Sequence, residues 1–197
     1  MKNHKVAVTG LSGMIGKHLK IILDINNVDY IDLNRKKWDL SKWKSHNELD
    51  YLLDDIDTIF HFGAVLPSAG KNMSTLFDIN VKSCLNIAEW SYKNNKNVIF
   101  ISSSTVYKHT DKKKINEDDQ KVICGLGGFY ANSKLIAENI FNYFYEKGLK
   151  VTILRPSSVY GLGMDKRALI PTLIGKALAD DLIEVSDHNN KINFIHA

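Results

Sequence analysis

KVAVTGLSGMIGKHL, residues 5–19, changes period partway along its length. Val6-Ala7-Val8 is a short apolar run of the kind that forms a buried strand. Ile15, Leu19, Ile22 and Leu23 then recur at the spacing of one helix face. Between the two stand Gly10, Gly13 and Gly16. A strand that turns into a helix over such glycines offers free N–H groups and the positive end of a helix dipole to a diphosphate. Gly10 can take the backbone angles of the turn, Gly13 leaves no Cβ between main chain and ligand, and Gly16 lets the helix lie close to the strand. The stretch therefore predicts a dinucleotide-binding turn. A nucleoside triphosphate loop would need G-x-x-x-x-G-K-[ST], but Lys17 is followed by His18, and Leu11 stands where the first glycine should fall.

Further along, apolar runs and helical periods alternate. Val28–Leu33, Asp57–Phe62, Asn97–Ser102 and Lys150–Leu154 read as strands, with Trp38-Asp39-Leu40 as a very short one. Ser45–Leu53, about 74–92, Phe129–Glu146 and about 168–179 read as helices. Strands that are apolar nearly throughout, each followed by a helix, predict an α/β fold: a doubly wound parallel sheet covered on both faces. A polar loop runs from about 108 to 128. After Gly161 the pattern loosens, with short pieces at Ile183-Glu184-Val185 and Ile192–Ile195.

The bulk properties exclude several classes. The chain has 197 residues, 44% hydrophobic and 24% charged, which suits one soluble domain with an appendage. The net charge of +4 comes from scattered lysines, and Lys112-Lys113-Lys114 sits beside Asp111, Glu117, Asp118 and Asp119, so no nucleic-acid partner is expected. Cys84 and Cys124 have no metal or redox spacing. The N-terminus lacks the apolar core of a signal peptide and no run is long enough to span a membrane, so the expected location is cytoplasmic.

Tyr130 and Lys134 lie four apart on one helix face. A phenol titrates near ~10, and a neighbouring ammonium favours the phenolate, which suits the pair to acid–base work on a hydroxyl. The strand ahead of them ends in Ser102-Ser103-Ser104, and the carboxyl ends of parallel strands are where such sheets hold ligands. His61, in a strand, reads as structural, and the tryptophans read as packing residues.

These pieces together resemble the extended short-chain dehydrogenase/reductases, the nucleotide-sugar epimerase/dehydratase family with a Rossmann fold. The matching segments are TGLSGMIG (9–16), DTIFHFGA (57–64), Asn80, ISSSTVY (101–107), YANSK (130–134), LRPSSVYG (154–161) and NFIHA (193–197). The resemblance implies a nicotinamide dinucleotide cofactor. Gly10, Gly13 and Gly16, with Ser12, Met14 and Ile15 in the same turn, would cradle its pyrophosphate. Asp39 would bond the adenine, Gly63 and Ala64 would pass close to the adenosine and phosphates, and Pro156 to Ser158 would lie beside the nicotinamide. Ser103 and Tyr130 take the places of the catalytic hydroxyl and the acid–base, and Lys134 that of the ribose-binding, charge-tuning lysine. The implied organisation is a dinucleotide-binding domain over 1–160 and the start of a small substrate domain over 161–197. A homodimer through helices 74–92 and 129–146 is also implied.

Three departures refine the expectation. The acid usual at the end of the second strand is replaced by Asn34, followed by Arg35, Lys36 and Lys37, which favours NADP over NAD because repulsion of a 2′-phosphate is removed. Ser103-Ser104-Thr105 stands where dehydratases carry Thr-Asp-Glu, so dehydration is not expected. The family pattern continues for roughly another hundred residues, which leaves Lys150–Leu154 expected at a sheet edge with apolar surface exposed. The expected activity is epimerisation or 4-keto reduction of a nucleotide-linked sugar. The rival from another class is a dinucleotide-binding protein without turnover.

Overall fold

The computed structural model describes residues 4–108, 114–121, 127–184 and 191–197. The apolar runs become β1 (Lys5–Thr9), β2 (Asp29–Leu33), β3 (Thr58–His61), β4 (Asn97–Ile101) and β5 (Val151–Leu154). They pair in parallel in the order β2-β1-β3-β4-β5. Helices α1 (Met14–Ile25), α2 (His46–Leu52), α3 (Met73–Phe77), α4 (Ser83–Lys93) and α5 (Gly128–Tyr145) make the crossovers. Three further elements follow: β6 (Ser158–Tyr160), α6 (Leu169–Leu178) and β7 (Phe194–His196), with β6 and β7 forming a separate parallel pair.

Register decides which side chains share a face. Ala7, Ile59, Val98 and Val151 form one row, and Val8, Phe60, Ile99 and Thr152 the next row, on the opposite face. The first face packs on α2, α4 and α5, where Ile59, Leu49, Ile87, Phe100 and Phe141 are all closed to solvent. The second packs Val6 and Val8 against Leu19 and Leu23 of α1. Ser45 starts α2 by a reciprocal cap: its hydroxyl accepts from Glu48 N at 3.3 Å, while its own N–H donates to the Glu48 carboxylate at 2.8 Å.

The structure corrects three expectations. Trp38-Asp39-Leu40 is not a strand. Trp38 N donates back to Asn34 O at 2.9 Å, and the indole sinks into the core with its N–H on Lys42 O at 3.1 Å, which closes a turn instead. The helix expected over about 74–92 is interrupted by a π-helical turn at Asp78–Lys82, between α3 and α4, and that turn buries Asn80. Strand β6 is not among the expected elements: the resemblance places Ser158 only beside the nicotinamide, and Val159-Tyr160 are given no element. Lys112, Lys113, Cys124 and Val185 lie outside the described residues. No described helix is long and apolar enough to cross a membrane.

Candidate functional site

Strand order reverses between β1 and β3, and a crevice forms there outside the carboxyl ends of the strands. A cleft of about 520 Å³ fills it. One end is the glycine turn. Gly10 has φ +75°, and a Cβ on it would lie 2.6 Å from Gly63 N, so neither conformation nor space admits a side chain. A Cβ on Gly16 would lie 2.6 Å from Leu11 Cα, which is how the glycine lets α1 approach the strand end. Gly13 caps α1 with no side-chain partner and no acid in the first turn, so the helix N–H groups face the cleft uncompensated. Ser12, Met14 and Ile15 line the same end. A cradle that any Cβ would fill, backed by bare helix amides, fits a pyrophosphate.

Beyond the glycines the wall carries Asp32, Asn34, Arg35 and Asp39. Asn34 donates to the Asp32 carboxylate at 3.2 Å, and its own carbonyl accepts from the backbone of Lys36 and Lys37 at 3.1 and 3.3 Å. The amide expected to replace a missing acid is thus tied into its own turn, and Asp32, two residues earlier in β2, supplies a carboxylate to the wall. Asp39 accepts from the Ser41 hydroxyl at 2.8 Å and its N–H at 3.1 Å, and these bonds hold its carboxyl below the usual range.

The middle of the cleft is the loop from Gly63 to Leu66. Asn80, reaching from the π-helical turn, accepts from Val65 N at 2.8 Å and donates to Val65 O at 3.0 Å. The same amide donates to the Ser133 hydroxyl at 3.1 Å, and Ser133 donates to Tyr130 O at 2.7 Å. One buried asparagine therefore fixes the loop to α5, beside the phenol.

Ser103, Tyr130 and Lys134 meet at the other end. The Ser103 hydroxyl bonds the half-buried Tyr130 phenol and accepts from Thr105 N at 3.2 Å and Thr105 Oγ1 at 2.9 Å. Lys134 is 2% exposed, donates to Ile101 O at 2.7 Å and lies 4.8 Å over the Phe100 ring. Burial lowers its pKa to about 8 against the pull of Cys84 and Glu138. The tyrosine departs from expectation: desolvation raises its pKa and the Ser103 bond only partly offsets this, with the ammonium 6.0 Å from the ring centroid. Pro156 lines this end with Ser157 and Val159, whereas Ser158 is exposed and does not line the cleft.

Sequence reasoning missed a second buried network behind these residues. Glu138 is 1% exposed and takes a two-pronged contact from Arg155, 2.8 Å from Nε and 2.9 Å from Nη2. It also accepts from Ser102 Oγ, while Arg155 Nη1 donates to Tyr107 OH at 2.8 Å. The network ties the end of β4, helix α5 and the start of the Pro156 loop together. Its signal was present: Glu138 is one helical turn past Lys134, an acid on the buried face.

Fold and cleft define a Rossmann-type α/β protein with a cleft at the strand-order switch. The chain belongs to the NAD dependent epimerase/dehydratase family, whose model matches residues 6–197. Among solved structures it is similar to MoeE5 in complex with UDP-glucuronic acid and NAD, at 26% identity and TM-score 0.82, covering 98% of this chain and 68% of that one. It is also similar to the UDP-N-acetylglucosamine 4-epimerase of Methanobrevibacter ruminantium M1, at 25% identity and TM-score 0.80, covering all of this chain and 70% of that one. A dTDP-4-dehydrorhamnose reductase ortholog from Clostridium acetobutylicum shares the fold, at 21% identity and TM-score 0.75.

Proposed function

We propose that this chain is an NAD(P)-dependent epimerase or 4-keto reductase acting on a nucleotide-linked sugar. The observation that carries the reading is the meeting of Ser103, Tyr130 and Lys134 at one end of a cleft whose other end is a glycine cradle. Gly10, Gly13 and Gly16, with the N–H groups of α1, would hold the cofactor's pyrophosphate; Gly63 and Ala64 would border its adenosine side, and Pro156 its nicotinamide. When bound, the nicotinamide supplies a hydride acceptor or donor.

The protein's own residues handle the oxygen and its proton. Ser103, held by Thr105, presents a hydroxyl to a sugar oxygen. Burial keeps the Tyr130 phenol protonated at neutral pH, which is the form that donates a proton to a carbonyl oxygen during reduction. The Lys134 ammonium supplies the field that stabilises the phenolate in the opposite direction. Tyr130→Phe should lower turnover of a nucleotide sugar by ~10²–10⁴-fold and leave dinucleotide affinity within a few-fold. A Phe variant with more than about a tenth of the rate would remove Tyr130 from the acid–base role.

We read the cofactor as NADP, with NAD as the alternative. Arg35 stands in the cleft wall, and its planar fork of donors suits a 2′-phosphate. The Asp32 carboxylate in the same wall favours NAD, as does the NAD in the MoeE5 complex. Titration calorimetry with both decides: NADP should bind tighter by roughly one to two powers of ten, and Arg35→Ala should erase the difference. Equal or tighter NAD binding assigns the site to Asp32.

The outer faces of α4 and α5, where Tyr92 and Tyr143 are 44% and 59% exposed, are proposed to meet a second copy of the chain. Sedimentation equilibrium tests this, with a monomer at all concentrations as the contrary result.

A further inference from the structure

His61 is closed to solvent at the carboxyl end of β3, and no step above uses it. Its surroundings fix the position of every proton. The Ser83 hydroxyl donates to Ile79 O, a carbonyl that can only accept, so its single proton is committed. The contact between Ser83 Oγ and His61 Nε2, 3.3 Å, must then run from Nε2–H to the hydroxyl oxygen. A neutral ring protonated on Nε2 has a bare Nδ1, so the 2.8 Å contact with Thr9 Oγ1 runs from the hydroxyl to the ring. Thr9 Oγ1 in turn accepts from Gly63 N at 3.0 Å. The chain of donors is one-way: Gly63 N–H, Thr9 O–H, His61 Nε2–H, Ser83 O–H, ending on Ile79 O.

We infer that His61 is a positioning residue: as the Nε2–H tautomer it ties the Gly63 amide in the cleft floor to the Ile79 carbonyl of the π-helical turn. Both ends line the cleft, and Gly63 is also the residue against which Gly10 packs without a Cβ. Thr9, His61 and Phe100 occupy one row of the sheet, and His61 stacks on Phe100 at 5.8 Å and 18°. The ring is therefore held by hydrogen bonds at both edges and by an aromatic face. Among the described residues no carboxylate acts on it; burial first, and then the Lys134 ammonium of α5, oppose protonation and lower its pKa to about 3. The device thus does not switch off within the physiological range. The link to cofactor binding rests on the dinucleotide reading above, whereas the tautomer does not.

Long-range proton–nitrogen correlation spectra of the full chain, labelled with ¹⁵N-histidine, test the tautomer without any ligand. His61 should show a protonated Nε2 and a bare Nδ1, unchanged between pH 8 and pH 5. An Nδ1–H pattern, or an imidazolium by pH 6, overturns the inference. The coupling to the cleft is read from dinucleotide affinity. His61→Asn keeps an acceptor where Nδ1 lies but loses the Nε2–H bond to Ser83. Its Kd should fall between that of wild type and that of His61→Leu, which lacks both bonds and should weaken binding tenfold or more. Equal affinity in all three folded proteins would refute the positioning role. A wild-type chain that binds neither NAD nor NADP would instead refute the dinucleotide reading and with it the coupling, leaving the tautomer result standing by itself.

Discussion

The two faces of the five-stranded sheet come from strands of similar apolar content, yet they are buried unequally. On the face under α2, α4 and α5, Ala7, Ile59, Val98 and Phe100 are 0–1% exposed. On the α1 face Val8 is closed to solvent, but burial fades across the sheet until Leu154 is 43% exposed. Handedness accounts for the difference. The step from β1 to β2 runs one way across the sheet, and every later step runs the other way. Right-handed crossovers then place α1 on one face and α2, α4 and α5 on the opposite one. A strand's apolar residues state what can be buried; the count of crossovers per face states what is.

That contrast can be broken from either side. Phe100→Ala should cost about 3–5 kcal/mol in urea-induced unfolding, because the ring contacts His61 and Phe141 and leaves a cavity in a closed layer. A cost near that of an exposed substitution would mean that the layer repacks freely and that the faces do not differ. Acid sharpens the same contrast. His61 stays neutral to about pH 3 when folded but titrates near ~6.5 in an unfolded chain, so the unfolded state binds more protons in between. Stability present above pH 6.5 is therefore lost as pH falls, by up to about 1.4 kcal/mol per pH unit between pH 6 and 4.5. His61→Asn should flatten that slope, and an unchanged slope would place its origin elsewhere. The smallest effect belongs to the open face: Leu154→Lys should shift stability by no more than about 0.5 kcal/mol while reducing binding of a hydrophobic dye. A large loss there would mean that the β5 edge is packed after all.

Much of this was legible in the chain. Residues 5–19 announce strand, turn and helix because the glycines and the change of period sit side by side. That Tyr130 and Lys134 share one helix face was legible from their i, i+4 spacing. Ser103 was singled out of Ser102-Ser103-Ser104 by the family resemblance, and the structure brings it to one cleft with the other two. The π-helical turn left no trace in composition, since it is one widened turn within an unbroken apolar period, and its effect on Asn80 needs three dimensions. Trp38 misled because a short apolar cluster looks the same whether it pairs or plugs. The Ser102–Glu138–Arg155 network joins residues 36 and 17 apart in sequence, and no local pattern pairs them. Strand β6 has three residues and a partner more than thirty positions on, too little for periodicity to register.

The amine of Lys134 has one further implication. It sits in the core with a peptide oxygen and an aromatic ring for company, and its direct hydrogen bond goes to no carboxylate. An unfolded chain holds its proton to about pH 10.4 and the folded chain only to about 8, so through that interval deprotonation favours the fold. At neutral pH the folded protein therefore carries a charge that its interior resists. Selection for durability alone would have placed a methionine there. The lysine stands there as stored tension, a local sacrifice of robustness beside the Tyr130 ring.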